Sequence, residues 1–353
     1  MKKNNTMIKE IRIEGYKCFD DMYFPCSELT LLTGDNLSGK TAVIESMLLC
    51  RQIADTNCGD ALNGPFVTVG KYEDVVNKNT DAEAIRITLL NSNNRGCQSL
   101  LDSNYQGYLK NFSQNHHCDE ADGDSFGDKT CFAFPTTMLR ILPGRITVFS
   151  KDTLDDKSNL AAAESFAERI ALEMFNGTDS DIAAMQHWIA RVTGGVEIEH
   201  NLDSVYYSFN GCDISQNDLS FGTRNAVGVI LACLYVPDGS VIFIENPEAG
   251  LHPRAQAEFS KFLYFVANSG KQIFIETHSD HILNALRVGV TNKEMTPARI
   301  AINYLVKDKE KGNCQCNPVR IRENGDLHGE NDSMSLDGFF DQYSKDLDKM
   351  LGL

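Results

Sequence analysis

The fold is decided by the stretch "GDNLSGKT", Gly34 to Thr41, which follows the apolar run "LTLLT" and opens a segment with helical spacing. It matches the pattern G-x-x-x-x-G-K-[ST] at every fixed position, in the strand–loop–helix context that this pattern needs. Gly34 and Gly39 allow backbone conformations that turn several N–H groups towards a phosphate. The start of the helix adds a partial positive charge. The motif therefore predicts a nucleotide site.

Individual side chains of this loop have separate expected roles. Lys40 would neutralise the β- and γ-phosphates, and the Thr41 hydroxyl would ligate Mg²⁺. Asn36, Ser38 and Ala42 complete the expected phosphate-binding segment. The alternative is a chance glycine-rich turn, and the flanking strand and helix argue against it.

Composition limits the class of protein. The chain has 353 residues, which suits one large domain or two small ones. Its 33 basic and 49 acidic residues give a net charge of −16, which argues against non-specific coating of nucleic acid but leaves a local basic groove open. We expect no secretory segment and no membrane helix, since no run reaches roughly 18 apolar residues. The expected location is the cytoplasm.

The cysteine pattern favours free thiols over a metal site. The 11 cysteines are an odd number and are scattered along the chain. Zinc sites typically show paired ligands two to four residues apart, repeated once, and that repeat is missing. Reduced thiols are also what a cytoplasmic protein carries. The residues weighed as metal ligands are Cys97, His116, His117, Cys118, Cys131, Cys314 and Cys316.

Periodicity predicts the secondary structure of the first two thirds. Apolar alternation or apolar runs predict strands, and spacing of three or four residues predicts helices, with Asp179 or Ser180 near one N-cap. The segment 91–129 is rich in Asn, Ser, Gly and Asp and lacks a period, so we expect a mobile insertion or a lobe with long loops. The predicted strands are 8–14, 29–33, 84–90 and 145–150, and the predicted helices are 41–53, 160–174 and 179–192.

The last third alternates between helices and apolar strands. Two apolar strands with crossover helices predict a parallel sheet that is covered on both faces. The predicted elements are helix 224–235, strand 240–245, helix 253–268, strand 271–277 and helix 280–288.

Three further motifs follow the phosphate loop in order. "LSFGT", Leu219 to Thr223, precedes a helix and resembles the signature loop of ABC-type ATPases. That resemblance implies that Ser220 and Gly222 bind the γ-phosphate held by the opposite subunit. "IFIENPEAGLHP" resembles the second nucleotide motif of the same ATPases, and "IFIETHSDH" resembles the strand that ends in their switch histidine.

These two strands carry the remaining candidates. The resemblance implies that Glu245 is a magnesium carboxylate and that Asn246 occupies the position of the residue that polarises the attacking water. It also implies that His278 senses the γ-phosphate.

Together the four motifs resemble ABC-type ATPases of the branch that contains SMC, RecF and OLD proteins. The opening "IRIEGYKCFDD" and the runs "ENPEAGLHPRAQAEFSKFL", "ETHSDHILNALRVGV" and "GFFDQYSKDLDKML" narrow the resemblance to prokaryotic OLD-like ATPases of defence loci. The likeness covers residues 1–90 and 215–353 and says little about 91–200. It implies an α/β P-loop NTPase, an ABC-type ATPase head with a mixed or parallel sheet flanked by helices and a helical, loop-rich inserted lobe.

The resemblance also implies the domain plan and the ligands. Residues 1–90 would form the first half of the head, 91–200 the inserted lobe, and 201–353 the second half. ATP and Mg²⁺ are the expected cofactors, and a homodimer formed head-to-tail around ATP is the expected assembly.

Asn246 makes slow hydrolysis the expected activity. An amide cannot take a proton from water at neutral pH, and loss of a general base typically costs about 10²–10⁴-fold in rate. Phosphoryl transfer depends mainly on positioning, however, so an amide that orients water can support it. Glu248 could supply the carboxylate if the extended path continues past Pro247. The catalytic candidates are Asn246, Glu248 and His278.

Three roles stay open from the sequence. One is a switch that holds or licenses a separate effector, a nuclease or toxin, in antiviral defence. The second is a DNA-repair ATPase, which would need a basic face from residues such as Arg140, Arg145 and Lys151. The third is an inactive scaffold that binds ATP.

Overall fold

Strands and helices alternate along a computed structural model that describes residues 7–55, 61–80, 84–103, 107–113, 132–150, 160–201, 204–308, 312–329, 339–340 and 342–351. The strands are β1 (Ile8–Tyr16), β2 (Phe19–Pro25), β3 (Leu29–Gly34), β4 (Ile85–Asn91), β5 (Arg95–Leu101), β6 (Gly107–Ser113), β7 (Thr137–Leu142), β8 (Arg145–Ser150), β9 (Leu160–Ala162), β10 (Val196–His200), β11 (Val205–Phe209), β12 (Cys212–Ile214), β13 (Val241–Glu245), β14 (Gln272–Glu276), β15 (Ile300–Lys307), β16 (Cys314–Ile321) and β17 (Leu327–Gly329). The helices are α1 (Lys40–Asp55), α2 (Tyr72–Val75), α3 (Ala163–Phe175), α4 (Asp179–Thr193), α5 (Phe221–Tyr235), α6 (Pro253–Asn268), α7 (Asp280–Thr291) and α8 (Gln342–Leu351).

A nine-stranded mixed sheet carries the phosphate loop. Its strand order is β17-β16-β15-β3-β14-β13-β7-β8-β9. The strands from β15 to β7 run parallel, and antiparallel strands flank them on both edges. Helices cover the sheet, so the predicted α/β P-loop NTPase fold is confirmed.

Strand β13 shows why the sheet is buried on both faces. All five of its residues are buried, which is typical of a central parallel strand. Ile242 and Ile244 belong to one core with helices α3 to α7. Val241 and Phe243 point the other way, into a second core with α1. Because burying one such side chain stabilises the fold by roughly 1.5–3 kcal/mol, both faces hold the strand in place.

Helix α1 lies between two sheets. A second sheet, antiparallel, has the order β2-β1-β4-β5-β6. The helix contacts β3 and β14 on one side and β4, β5 and β6 on the other. Apolar residues all around it are fully buried, among them Val43, Ile44 and Met47. This packing fixes the helix start, and with it the loop that precedes the helix.

The expectation of long loops from residue 91 onwards was wrong for residues 95–101 and 107–113. They form β5 and β6, which extend the antiparallel sheet from β4. Polar residues of β5 and β6 gave the segment a loop-like composition, but neighbouring strands supply the hydrogen bonds that hold it extended. Residues 114–131 lie outside the described part of the chain. The three-part division stays a prediction; β5 and β6 belong to the antiparallel sheet, and β7 and β8 belong to the nine-stranded sheet.

One helix starts at the predicted residue with a different cap, and another starts earlier than predicted because of its cap. Helix α4 is capped by Thr178, which forms a capping box with Asp181, one residue before the predicted cap. Helix α5 starts at Phe221, three residues earlier than predicted, because Ser220 caps it. The middle segment thus contains the predicted helices, α3 and α4, and both pack on α5.

Candidate nucleotide site

The two glycines of the phosphate loop are required by close approaches of the backbone. Gly34 has a φ of 140°, and a Cβ placed on it would overlap the carbonyl oxygen of Leu305 in β15. Gly39 has a φ of 95°, and its Cβ would press against the Cys18 thiol. Side chains rarely adopt these angles. The loop therefore needs glycine at both predicted positions.

Lys40 is the first residue of α1 and is held over the loop. Its side chain is buried, and Nζ donates to the carbonyl oxygens of Gly34 at 3.0 Å and Asp35 at 2.7 Å. Burial lowers the pKa of the Lys40 ammonium, and the carboxylates of Glu276 and Asp35 oppose that shift. The Lys40 ammonium donates to carbonyl oxygens of the loop, and the oxygens of a bound phosphate could replace these acceptors.

The other predicted loop residues surround this lysine. Ser38 is fully buried, and its Oγ lies 3.5 Å from the Lys40 Nζ. Asn36 is exposed, and Ala42 is buried in the first turn of α1. Leu37 adopts a left-handed φ of 65°. The predicted phosphate-binding residues lie together at one helix start, and their roles stay predictions.

Strands β13 and β14 end side by side with the same four residues, Ile-Phe-Ile-Glu. The register pairs Phe243 with Phe274 and Glu245 with Glu276. The two phenylalanine rings stack with centroids 5.5 Å apart. The carboxyl ends of parallel strands meet at one edge of a sheet, which is where ligands bind in α/β folds. Two carboxylates are therefore adjacent at this edge.

Glu276 contacts the phosphate loop directly. The Thr41 hydroxyl lies 3.1 Å from one of its carboxylate oxygens and 2.9 Å from the other. Glu276 is buried, and this burial raises its pKa; the hydrogen bond from Thr41 lowers it, and the charge of Glu245 raises it further. This residue was not among the sequence candidates.

Glu245 is paired with an arginine from the neighbouring parallel strand. The Arg140 Nε lies 2.6 Å from the Glu245 Oε1, and both side chains are largely buried. Arg140 was weighed for a basic face only under the alternative of a DNA-repair ATPase, and its guanidinium instead pairs with Glu245 and faces the candidate site. Of its two companions, Arg145 lies in β8, and Lys151 lies outside the described residues.

The strand ends at Glu245, and a tight turn follows. Asn246 has a left-handed φ of 49°, and its N–H donates to the Glu276 carbonyl at 2.8 Å. Asparagine tolerates this conformation better than most residues. The N–H groups of Ala249 and Leu251 then donate to the carbonyls of Asn246 and Glu248. The chain therefore turns after Glu245, so the alternation of an extended strand does not determine where the side chains of residues 246 and 248 lie.

Glu248 is instead aimed by the end of β14. Its Oε2 accepts from the Thr277 hydroxyl at 2.9 Å, and its Oε1 accepts from the His278 N–H at 2.8 Å. The His278 side chain is exposed, but partial burial lowers its pKa, as does Lys40, against the charges of Glu248 and Asp35. Neutral imidazole is therefore the main form at neutral pH. The turn brings Glu248 and His278 together.

Ser220 and Gly222 form a second group at the start of α5. The Ser220 Oγ accepts from the Thr223 N–H at 3.1 Å, and Ser220 itself is exposed. A Cβ on Gly222 would overlap the carbonyl oxygen of Gly250, so the α5 start packs tightly on the turn after β13. Ser220 and Gly222 therefore lie against the turn after β13, whereas the residues of the phosphate loop form a separate group.

The oxygen donors at the carboxyl edge fit Mg²⁺. The Thr41 hydroxyl and the carboxylates of Glu245 and Glu276 are the hard ligands that Mg²⁺ prefers, beside phosphate oxygens and water. A magnesium ion bound there would neutralise phosphate charge.

In the described ranges, the carboxyl edge included, no group of three or more His, Cys, Asp or Glu side chains could hold a metal, so a magnesium ion at this edge would also need the Thr41 hydroxyl, phosphate oxygens or water. Cys97, Cys314 and Cys316 are free thiols. His116, His117, Cys118 and Cys131 lie outside the described residues.

Sequence reasoning missed Arg140, Glu276 and Thr277. One signal was available for Glu276. The run "IFIE" occurs at residues 242–245 and again at 273–276, so the second glutamate ends an apolar strand as the first does. Arg140 had no comparable signal, because only the parallel pairing of β7 with β13 brings it to Glu245.

Comparison with known sequences supports an ATPase. Residues 147–283 match the family described as AAA ATPase domain, a span that includes α5, β13 and β14. An uncharacterized protein of Methanocaldococcus jannaschii is 30% identical over 113 residues, which are 31% of this chain. The aligned part is only 14% of that relative's length.

Comparison with solved structures defines the fold. The SMC head domain from Thermotoga maritima has a TM-score of 0.53 at 12% identity and covers 89% of this chain and 99% of its own. An SMC head bound to the C-terminal winged-helix domain of ScpA has a TM-score of 0.57 at 11% identity, with coverages of 90% and 98%. An SMC head with an extended coiled coil, bound to a ScpA domain derived from Pyrococcus furiosus, has a TM-score of 0.54 at 10% identity, with coverages of 98% and 99%.

Among the described helices, none has both the length and the apolar character needed to span a membrane. The sheet order, the phosphate loop and the matched ATPase domain all indicate the same P-loop fold. The chain therefore has the α/β P-loop fold of an SMC-type ATPase head and carries a match to an AAA ATPase domain over residues 147–283.

Proposed function

We propose that this chain binds ATP with Mg²⁺ and hydrolyses it slowly, as a head-to-tail dimer in the cytoplasm. One observation carries the proposal. The ends of β13 and β14 and the start of α1 bring a buried lysine, a threonine hydroxyl and two carboxylates to one edge of the sheet. Lysine and a helix N-terminus suit phosphate, and the oxygens suit Mg²⁺.

One copy of the chain would supply the residues that contact the phosphates of ATP and the metal ion. Lys40 would contact the β- and γ-phosphates, and the backbone of the loop would surround them. Thr41 and Glu245 would serve the metal. The remaining members of this group are Gly34, Asn36, Ser38, Gly39 and Ala42.

The second copy would complete the site. Ser220 is exposed at the N-terminus of a 15-residue helix whose first turn contains no acidic residue. Such a helix start favours an anion. As the resemblance to the ABC signature loop implies, Ser220 and Gly222 would bind the γ-phosphate held by the partner, and this contact would make the dimer head-to-tail.

Hydrolysis would depend on the turn after β13. Glu248 is a carboxylate whose two oxygens each accept one hydrogen bond, so it keeps lone pairs for a water molecule. Asn246 would orient that water, and neutral His278 would contact the γ-phosphate. A carboxylate base two residues beyond the usual position accounts for slow turnover.

The cellular role we propose is a switch or scaffold for a separate effector, a nuclease or toxin, in prokaryotic antiviral defence. The resemblance to OLD-like ATPases of defence loci supports it. Two of the similar SMC heads were solved with a bound partner protein, ScpA. Co-purification of the untagged effector with this chain from native lysate tests the role.

A nucleic-acid ATPase is the alternative role, since SMC heads share the fold. The net charge of −16 and the burial of Arg140 against Glu245 count against a basic face. DNA-stimulated ATPase activity with steep salt dependence would favour this role.

The binding proposal is tested by measuring ATP affinity and molecular mass, with and without Mg²⁺-ATP. We expect the wild type to bind ATP and to dimerise with it. Lys40→Ala should lose at least about 100-fold in affinity, since a charge-assisted phosphate contact disappears. Lys349→Ala, on the exposed face of α8, is the matched control and should behave as wild type. A wild-type chain that binds no ATP would overturn the proposal.

A further inference from the structure

Glu276 and Thr41 already have the spacing of two neighbouring metal ligands. Both Glu276 oxygens lie within 3.1 Å of the Thr41 hydroxyl. Mg²⁺ binds oxygen at about 2.0–2.1 Å in octahedral geometry, so adjacent ligands are separated by about 3 Å. The hydroxyl and the carboxylate could therefore bind one ion without rearrangement of either residue.

The surroundings of Glu276 favour a cation. Its side chain is buried, with 7% exposure. In the described part of the chain, the donor to its carboxylate is a neutral hydroxyl. A buried carboxylate is costly unless a cation accompanies it. The Lys40 ammonium, which faces the carbonyls of Gly34 and Asp35, would be drawn to phosphate in the nucleotide complex.

The other carboxylates at this edge have different partners. Glu245 is ion-paired with Arg140, so one of its oxygens already accepts from a cation. Glu248 accepts from Thr277 and His278. Glu276 is thus the carboxylate that faces the threonine expected to ligate the metal.

We propose that Glu276 is a metal ligand of this site, adjacent to Thr41, with Glu245 as a second carboxylate held by Arg140. Mg²⁺ in nucleotide sites is commonly bound by one or two carboxylates together with phosphate oxygens. The inference rests on the proposed ATP binding. It assigns the main metal carboxylate to Glu276 at the end of β14, beside Glu245 at the end of β13.

The test measures metal affinity rather than turnover. Mn²⁺ replaces Mg²⁺ and is titrated by electron paramagnetic resonance with a non-hydrolysable ATP analogue present. Affinity for the analogue is measured separately with EDTA. The variants are Glu276→Gln, Glu276→Asp, Glu245→Gln and, as a matched control on α6, Glu258→Gln, which also removes the charge of an ion-paired carboxylate. Glutamine retains an oxygen that can accept from Thr41, so it removes the charge and keeps the hydrogen bond.

We expect Glu276→Gln to weaken Mn²⁺ binding by at least about 10–100-fold, because the loss of a mere outer-shell partner of a metal ligand typically costs that much. Its affinity for the analogue in EDTA should stay within about threefold of wild type. Glu276→Asp keeps the charge one methylene further from the ion, and it should lose less Mn²⁺ affinity than Glu276→Gln. The control Glu258→Gln should match wild type.

Two results would overturn the inference in distinguishable ways. Wild-type Mn²⁺ affinity in both Glu276 variants, with a loss in Glu245→Gln, would assign the metal to Glu245 alone and leave the ATP proposal standing. A wild-type chain that binds the analogue neither with metal nor in EDTA would reject ATP binding itself. Should Glu276→Gln fail to fold, the decision rests on Glu276→Asp: a loss of Mn²⁺ affinity that Glu258→Gln does not show supports the inference, and wild-type affinity overturns it.

Discussion

The carboxyl edge of the central sheet and the start of α5 carry the two halves of the candidate site, and they are built differently. At the carboxyl edge, hydrogen bonds and an ion pair link buried residues of α1, β7, β13 and β14. At the start of α5, Ser220 is exposed, and its hydrogen bonds stay within its own helix turn. The first half is assembled within one chain. The second half presents its polar groups outwards, as an interface for a second copy would.

The turn after β13 connects these two regions. Asn246 and Glu248 accept or donate hydrogen bonds at the end of β14, and Gly250 packs on Gly222 at the start of α5. A displacement of this turn would therefore move both regions. Single substitutions in each region should therefore have separable effects on hydrolysis, dimerisation and stability.

Glu248→Gln is expected to have the largest effect. If Glu248 is the general base, ATPase rate should fall by about 10²–10⁴-fold, because an amide cannot take the proton. ATP affinity should stay near that of wild type. Single-turnover hydrolysis of radiolabelled ATP measures the rate.

Asn246→Glu is the companion to that variant. It restores the usual carboxylate, but at a φ of 49°, where a left-handed residue costs about 1–2 kcal/mol. We expect a lower melting temperature and no rescue of Glu248→Gln. A rate increase with Asn246→Glu, together with an unchanged rate in Glu248→Gln, would show that residue 246 is the catalytic position.

Ser220→Ala is expected to separate the two regions. ATPase rate and ATP-dependent dimer formation should fall by about 10–100-fold, because a hydrogen bond to a charged phosphate is lost. ATP affinity of the monomer should not change. Analytical ultracentrifugation at several ATP concentrations measures the dimer, and equal dimer affinity in Ser220→Ala and wild type would contradict the interface.

Arg140→Gln is expected to affect only the carboxyl edge of the central sheet. Removing one partner of a fully buried ion pair costs about 3–5 kcal/mol, but the Arg140 side chain is 16% exposed. We expect a loss of about 1–2 kcal/mol in the free energy of unfolding, measured by urea denaturation. The double variant with Glu245→Gln should recover part of it, since the unpaired charge is removed. Additive losses in the double variant would mean that the pair contributes nothing.

Thr178→Ala is expected to have the smallest effect. It removes the capping box of α4, outside both regions, and should cost about 1 kcal/mol of stability. ATP affinity and dimerisation should match wild type. Because Ser220→Ala removes a cap of the same kind, Thr178→Ala is its stability-matched control, with thermal denaturation as the common measurement. Loss of dimerisation in Thr178→Ala would show that capping alone explains the Ser220 result.

Much of the fold followed from local sequence. The phosphate loop needs two glycines for positive φ, and those glycines are readable in "GDNLSGKT". The apolar runs of β13 and β14 predicted buried parallel strands. Segment 95–113 was misread because its strands have a polar composition and depend on β4 for their hydrogen bonds. Helix α5 starts three residues earlier than predicted because Ser220 caps it, whereas α4 starts at the predicted Asp179 with Thr178 as its cap.

By itself the sequence determined the phosphate loop, the parallel sheet and the order of the motifs, because these depend on spacing and on the backbone freedom of glycine. Only the tertiary structure decided the partners of the carboxylates. Parallel pairing of β7, β13 and β14 places Arg140 on Glu245 and Thr41 on Glu276, across separations of 105 and 235 residues. The tertiary structure also places Asn246 in a left-handed turn rather than in an extended strand. Contacts so distant along the chain have no local pattern, so the sequence indicated Glu245 but not Glu276, and the fold shows what each carboxylate contacts.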